Sequence, residues 1–303
     1  MTHSPKDFQI KYKVAFKSYG KNSVRAWMTE PQDSSKQRVN SISIFPKPNS
    51  DYKDKKGNRI LYFDIKDQDS IKIEMEIGVT LWKAKVDLKS ENYYISDKSS
   101  DIFTNYTKSE KYLEQDQRLK DLTESITGKS DDIYSKIRSI FDFTVENFRY
   151  CYPVENRGVR NLNLDDLKGD CGEYSSLFVA MCRSIGVPAI NLTGFVIFPK
   201  DRSVVEHGWA GVYLEPEGWV DFDTQYASLE KDRYRYFAQR NDYRMVFTDG
   251  FNIPLKPSIP KYFSINYWND LGLPMTRNSV QTLQPLVFVS KYELEFKDSI
   301  ELT

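Results

Sequence analysis

Apolar and polar residues alternate with a period of two along much of residues 1–90. FQIKYKVAF (Phe8–Phe16), RILYFDI (Arg59–Ile65) and SIKIEMEIGVTLWKAKVDL (Ser70–Leu88) each put every second side chain on one face. That is the pattern of half-buried strands. Between two of them, Asp54-Lys55-Lys56-Gly57-Asn58 reads as a hairpin turn. Its acidic residues do not fall at the alternating positions of a calcium loop. Several strands separated by turns predict a β-sandwich-like N-terminal domain.

Periodicity is lost over residues 91–110, which are rich in Ser, Lys and Asp and read as a linker. Helical spacing follows. Leu113, Leu119, Leu122 and Ile126 mark one helix, and Ile133, Ile137, Ile140, Phe141, Val145 and Phe148 mark a second. Asp131 and Asp132 fall in its first turn, where the helix dipole favours anions. A third helix lies in GDCGEYSSLFVAMCRSIGVPA (Gly169–Ala189), where Tyr174, Leu177, Phe178, Met181, Cys182 and Ile185 share an apolar stripe. Gly186 and Pro188 stop it. The strands AINLTGFVIF, HGWAGVYL and GWVDFD come next, and PLVFVSKYELEF (Pro285–Phe296) is the last clear strand. The expected division is a β-rich domain at 1–90, the linker, an α+β core at 111–235 and a β-rich extension at 236–303.

Charge narrows the partners. The chain has 43 basic and 43 acidic residues and no basic stripe, so nucleic acid is not expected. No apolar run approaches the roughly 20 residues of a membrane span. The start, MTHSPKDFQIKYK, lacks an apolar signal-peptide segment, so the chain reads as cytoplasmic unless a leader has been removed, when it would be exported. With three cysteines there is no disulfide framework, and at least one thiol is free. No metal site or cofactor is expected. Apart from His3 the only histidine is His207, so any internal imidazole chemistry must use it.

Cys171 stands where the third helix starts. Unpaired N–H groups and the positive dipole end there stabilise an anion, so its thiol is expected to have a lower pKa than those of Cys151 or Cys182. Cys182 falls on the apolar stripe, and Cys151 in RYCYP has no helix to activate it. His207 opens a strand whose face it shares with Trp209 and Tyr213, and a turn leads to a second strand carrying Asp221 and Asp223. Each residue taken singly has a structural reading, as packing or as a satisfied strand polar group. Together they give thiol, imidazole and carboxylate in an order suited to a nucleophile, its base and the group that orients the base. Asp221 and Asp223 share a strand face, and Asp223 lies nearer His207 by two residues. Either aspartate faces His207 only if the connection between the strands holds an odd number of residues or a bulge.

These blocks, GDCGEYSSLFVAMCRSIGVPA, EHGWAGVYL and GWVDFD, resemble the core of the transglutaminase-like superfamily over residues 110–230. FRYCYP resembles the segment ahead of the family's nucleophile helix. The resemblance implies a papain-related fold with Cys171 as nucleophile, His207 as base and Asp223 as orienting group. It further implies acyl-enzyme chemistry on peptide or protein amides, with water as acceptor in a peptidase or amidase and an amine in a transferase. The Cys171 N–H is the expected first oxyanion donor. Tyr150 and Asn147 are candidates for the second, and Trp209 and Trp219 for a substrate groove, each also readable as structural. Glu173 and Glu206 read as solvated charges. The zinc-binding cysteine pairs of peptide:N-glycanases are absent. Lys168-Gly169-Asp170 replaces the Arg-Gly-Gly approach of arylamine N-acetyltransferases, and Trp-Ala-Gly follows the histidine where the family often has an acidic residue. The competing class is a binding or scaffold protein that keeps the fold without the chemistry.

Overall fold

The computed structural model describes residues 4–86, 97–128, 130, 132–152, 154, 156–240, 243–258, 267–268, 274–275, 286–290 and 295–303. The chain begins with β1 (Lys6–Glu30), β2 (Gln37–Phe45), β3 (Ser50–Lys53), β4 (Arg59–Leu81) and β5 (Ala84–Lys85). Helices α1 (Asp101–Tyr106), α2 (Gln117–Thr127) and α3 (Ile133–Asn147) follow, then β6 (Arg149–Tyr150) and β7 (Lys168–Gly169). Next come α4 (Cys171–Ser184), β8 (Ala189–Phe198), β9 (Ser203–Leu214), β10 (Gly218–Phe222) and α5 (Thr224–Leu229). The remaining strands are β11 (Gln239–Arg240), β12 (Arg244–Asp249), β13 (Tyr267–Trp268), β14 (Pro274–Met275), β15 (Leu286–Ser290) and β16 (Glu295–Leu302). None of the described helices is long and apolar enough to cross a membrane.

The chain forms two compact units, and the division is not sequential. One unit takes in the described residues of 1–83, 193–207 and 242–303; the other takes in those of 84–192 and 208–241. Strands β8 and β9 are each continuous and contribute residues to both units.

In the first unit β15, β1, β4 and β2 form an antiparallel sheet, with β16 also on β1 and β3 also on β4. Two strands read from the sequence, Arg59–Ile65 and the one from Ser70, are parts of the single strand β4, which ends at Leu81. Val14 pairs with Ile73 and Tyr12 with Met75, so the even residues of β1 and the odd residues of β4 share the buried face. That face packs on Phe195 and Ile197 of β8, Val204 of β9, and Met245 and Phe247 of β12. The other face carries exposed ion pairs such as Lys13 with Glu301 at 2.6 Å. Each buried side chain contributes about 1.5–3 kcal/mol and each surface pair about 0–1 kcal/mol, so the apolar face decides the register. At the β3–β4 turn, Asp54 Oδ1 accepts from the Lys56 and Asn58 amides at 2.8 and 2.9 Å.

In the second unit, helices surround α4. Phe178 of α4 lies between Phe141 of α3 and Phe222 of β10, with ring centroids 6.2 and 5.4 Å away. Because α4 is buried from Gly172 to Arg183, its polar residues all need partners. Asn191 Nδ2 donates to Ser175 Oγ at 2.9 Å, and Arg183 donates to Ala189 O at 2.7 Å and to Glu110 at 2.9 Å.

Three local readings are corrected. Leu113 is buried but lies in a turn, because Asp116 caps α2 and starts it at Gln117. Asp132 is the N-cap of α3 rather than part of its first turn, accepting from the Tyr134 and Ser135 amides; Asp131 lies outside the described residues. Within the expected linker, α1 forms under a Ser100 cap, while residues 87–96 lie outside the described residues.

Candidate active site

The site is built on the N-terminus of α4. Short parallel pairing of β6 with β7 sets Tyr150 opposite Gly169, and the Cys151 amide donates to Gly169 O at 2.8 Å. The next residue, Asp170, is extended and caps the helix, its Oδ1 accepting from the Gly172 amide at 2.8 Å. Cys171 is therefore the first residue of a helix of 14 residues. It is partly exposed, whereas Cys151 is exposed and Cys182 buried.

The electrostatics of Cys171 correct the sequence expectation. Burial pushes its thiol up, and the Asp170 and Asp223 charges add to this. The Gly208 backbone amide and the Arg157 guanidinium work the other way without offsetting it. Burial also raises the Cys182 thiol. The helix N-terminus thus does not bring the Cys171 thiol below its ordinary value.

His207 lies in β9, buried, immediately before Gly208. The β9–β10 register pairs Leu214 with Gly218, Val212 with Val220 and Gly211 with Asp221. Only Glu215, Pro216 and Glu217 connect the strands, an odd count. Odd residues thus face odd residues, and Asp221 shares a face with Trp209, whose indole N–H donates to Asp221 Oδ2 at 3.2 Å. Arg240 Nε lies 3.8 Å from the same oxygen. Asp221 is therefore engaged in a buried structural cluster. Asp223 has left the strand and caps α5, accepting from the Tyr226 amide at 2.9 Å.

The other candidates are placed as follows. Trp209 is 1% exposed, so its indole is part of the interior rather than a groove wall. Trp219 is partly buried, edge-on to Tyr106 and Tyr213. Tyr150 is exposed, while Asn147 ends α3 and donates to Phe143 O at 2.9 Å. Glu173 is 2% exposed, which overturns its reading as a solvated charge. It pairs with Arg157, a residue the sequence did not single out. Asp170-x-x-Glu173 has the spacing of a capping box and was a visible signal; Arg157, in a loop well upstream, had none. Among the described residues, no three His, Cys, Asp or Glu side chains are gathered as metal ligands would be.

Residues 120–224 match the sequence profile of the transglutaminase-like superfamily. YebA, an uncharacterised protein of Bacillus subtilis, is 27% identical over 163 residues, covering 47% of this chain and 21% of that protein. An uncharacterised protein of Haemophilus influenzae is 27% identical over 143 residues, covering 39% of each. The chain thus spans well under half the length of either curated relative. A Cytophaga hutchinsonii crystal structure, described as that of a cysteine protease candidate, has a TM-score of 0.64 at 12% identity, covering 100% of this chain and 99% of that one. Residues 120–224 are thus similar to the transglutaminase-like superfamily, and within them Cys171 heads a buried helix.

Proposed function

We propose that this chain is a thiol-nucleophile enzyme that forms an acyl-enzyme on Cys171 from peptide or protein amides. Cys171 is the nucleophile, His207 the base and Asp223 the carboxylate that orients the imidazole. The observation that carries the reading is at the head of α4. Cys171 is the first helical residue, and the backbone amide of Gly208, the peptide neighbour of His207, favours its thiolate. Because burial holds the proton on the thiol, His207 must take it as sulfur attacks the carbonyl carbon. The resulting oxyanion is met by the Cys171 N–H at the helix N-terminus, with Tyr150 as the candidate second donor. Collapse breaks the C–N bond, and the imidazolium returns the proton to the departing amine. Water then completes a peptidase or amidase reaction, and a primary amine completes a transglutaminase-type transfer. Trp219 is our candidate for contact with an extended substrate.

Iodoacetamide labelling followed by peptide mapping tests the base. Cys151 is exposed and would react regardless, so the measurement uses a Cys151→Ser background. His207→Ala is expected to slow labelling of Cys171 at neutral pH by on the order of 10²-fold. An unchanged rate would remove His207 from the mechanism.

A further inference from the structure

Behind the first turn of α4 lies a buried ion cluster. Arg157 Nη1 donates to Asp170 Oδ1 at 2.9 Å and to Glu173 Oε2 at 2.7 Å, and Nη2 donates to Asp170 Oδ2 at 2.5 Å. The Gly158 amide favours the Glu173 anion, and the Asp170 carboxylate disfavours it. Two buried carboxylates share one guanidinium, so the cluster is neutral only if one of them carries a proton. Glycine makes the enclosure possible. A Cβ at Gly169 would sit 2.5 Å from Glu173 Cβ, and at Gly158, with φ of 102°, one would sit 2.9 Å from Tyr112 Cα.

The charge count follows. Burial opposes the Arg157 cation, but Glu173 and Asp170 outweigh it and hold its pKa above the ordinary value. Burial also opposes the Asp170 anion, and Arg157 overrides it and lowers that pKa. For Glu173, burial, opposed by Arg157 and reinforced by Asp170, pushes the carboxyl up to about 8. With the proton on Glu173 the cluster is neutral; without it, one net negative charge stands two residues from the sulfur. Asp170 already raises the Cys171 thiol and Arg157 lowers it, while Asp223 reaches it from the cap of α5. A second carboxylate on α4 would tip this balance against the thiolate.

We propose that Arg157 and Glu173 are positioning residues for Cys171: Arg157 grips the Asp170 cap, and Glu173 carries the proton that keeps the cluster neutral while the thiolate forms. The inference rests on reading Cys171 as the nucleophile, but its test needs no substrate. In the Cys151→Ser background, iodoacetamide rates at Cys171 are compared with and without Glu173→Gln, from about pH 6 to about pH 9. Below the Glu173 pKa both forms are neutral at this position, so equal rates are expected. Above it the wild-type residue ionises and the glutamine does not, so the variant should be about threefold or more faster by pH 9. A ratio constant across the range would overturn the proposal, since a packing role alone shifts the rate without a pH dependence. Arg157→Lys keeps the charge but loses the two-pronged grip, and should slow labelling about threefold at every pH. No slowing would overturn the Arg157 role; should that variant fail to fold, the near-isosteric Glu173→Gln still decides the rest. Turnover of amides with a constant ratio would sink this inference alone, and a pH-dependent ratio without turnover would sink only the enzyme reading.

Discussion

Asp223→Asn should lower turnover by on the order of 10³–10⁴-fold, while Asp221→Asn should leave turnover per folded molecule nearly intact. Asparagine caps a helix about as well as aspartate, so the bond from the Tyr226 amide survives in Asp223→Asn and stability changes little. What it loses is the negative charge proposed to orient His207 and stabilise its imidazolium. Asp221 is different. It accepts the Trp209 indole N–H and pairs with the buried Arg240, and breaking a buried ion pair costs about 3–5 kcal/mol. Its substitution should therefore appear as a lower urea midpoint. Kinetics and urea titration on both variants check this, and equal activity losses would contradict the division of roles.

Cys171→Ser should abolish turnover and change unfolding stability by less than about 1 kcal/mol. The helix start is held by the Asp170 side chain on the Gly172 amide, not by sulfur, and serine differs from cysteine by one atom. Cys182→Ser should do the opposite, because it buries a hydroxyl where a fully enclosed thiol packs, at a cost of about 1–3 kcal/mol. Circular dichroism melts set beside turnover separate the two. A Cys171→Ser variant with full activity would end the thiol mechanism.

Local pattern made much of this architecture legible. The three- and four-residue steps from Tyr174 to Ile185 and the Gly186–Pro188 stop predict α4, and Cys171 does open it. Strand alternation predicts the buried faces of β1 and β4, because a period of two is dictated by the pleat. Parity requires an odd β9–β10 connection, and Glu215–Glu217 supplies three residues. What escaped depends on contacts distant in sequence. Glu173 looks like surface charge until Arg157 is brought to it, and Leu113 keeps helical spacing although Asp116 starts the helix later. The thiol direction was misjudged because the dipole is a local term, while enclosure by the rest of the unit is not.

The most direct test of the central claim is to trap the acyl group. The Cys151→Ser protein, mixed with p-nitrophenyl acetate and quenched in acid, is digested and mapped by mass spectrometry. The account predicts one acetyl group per chain, on Cys171, and its loss in His207→Ala. Acetylation confined to lysines, with Cys171 unmodified in the folded protein, would contradict it.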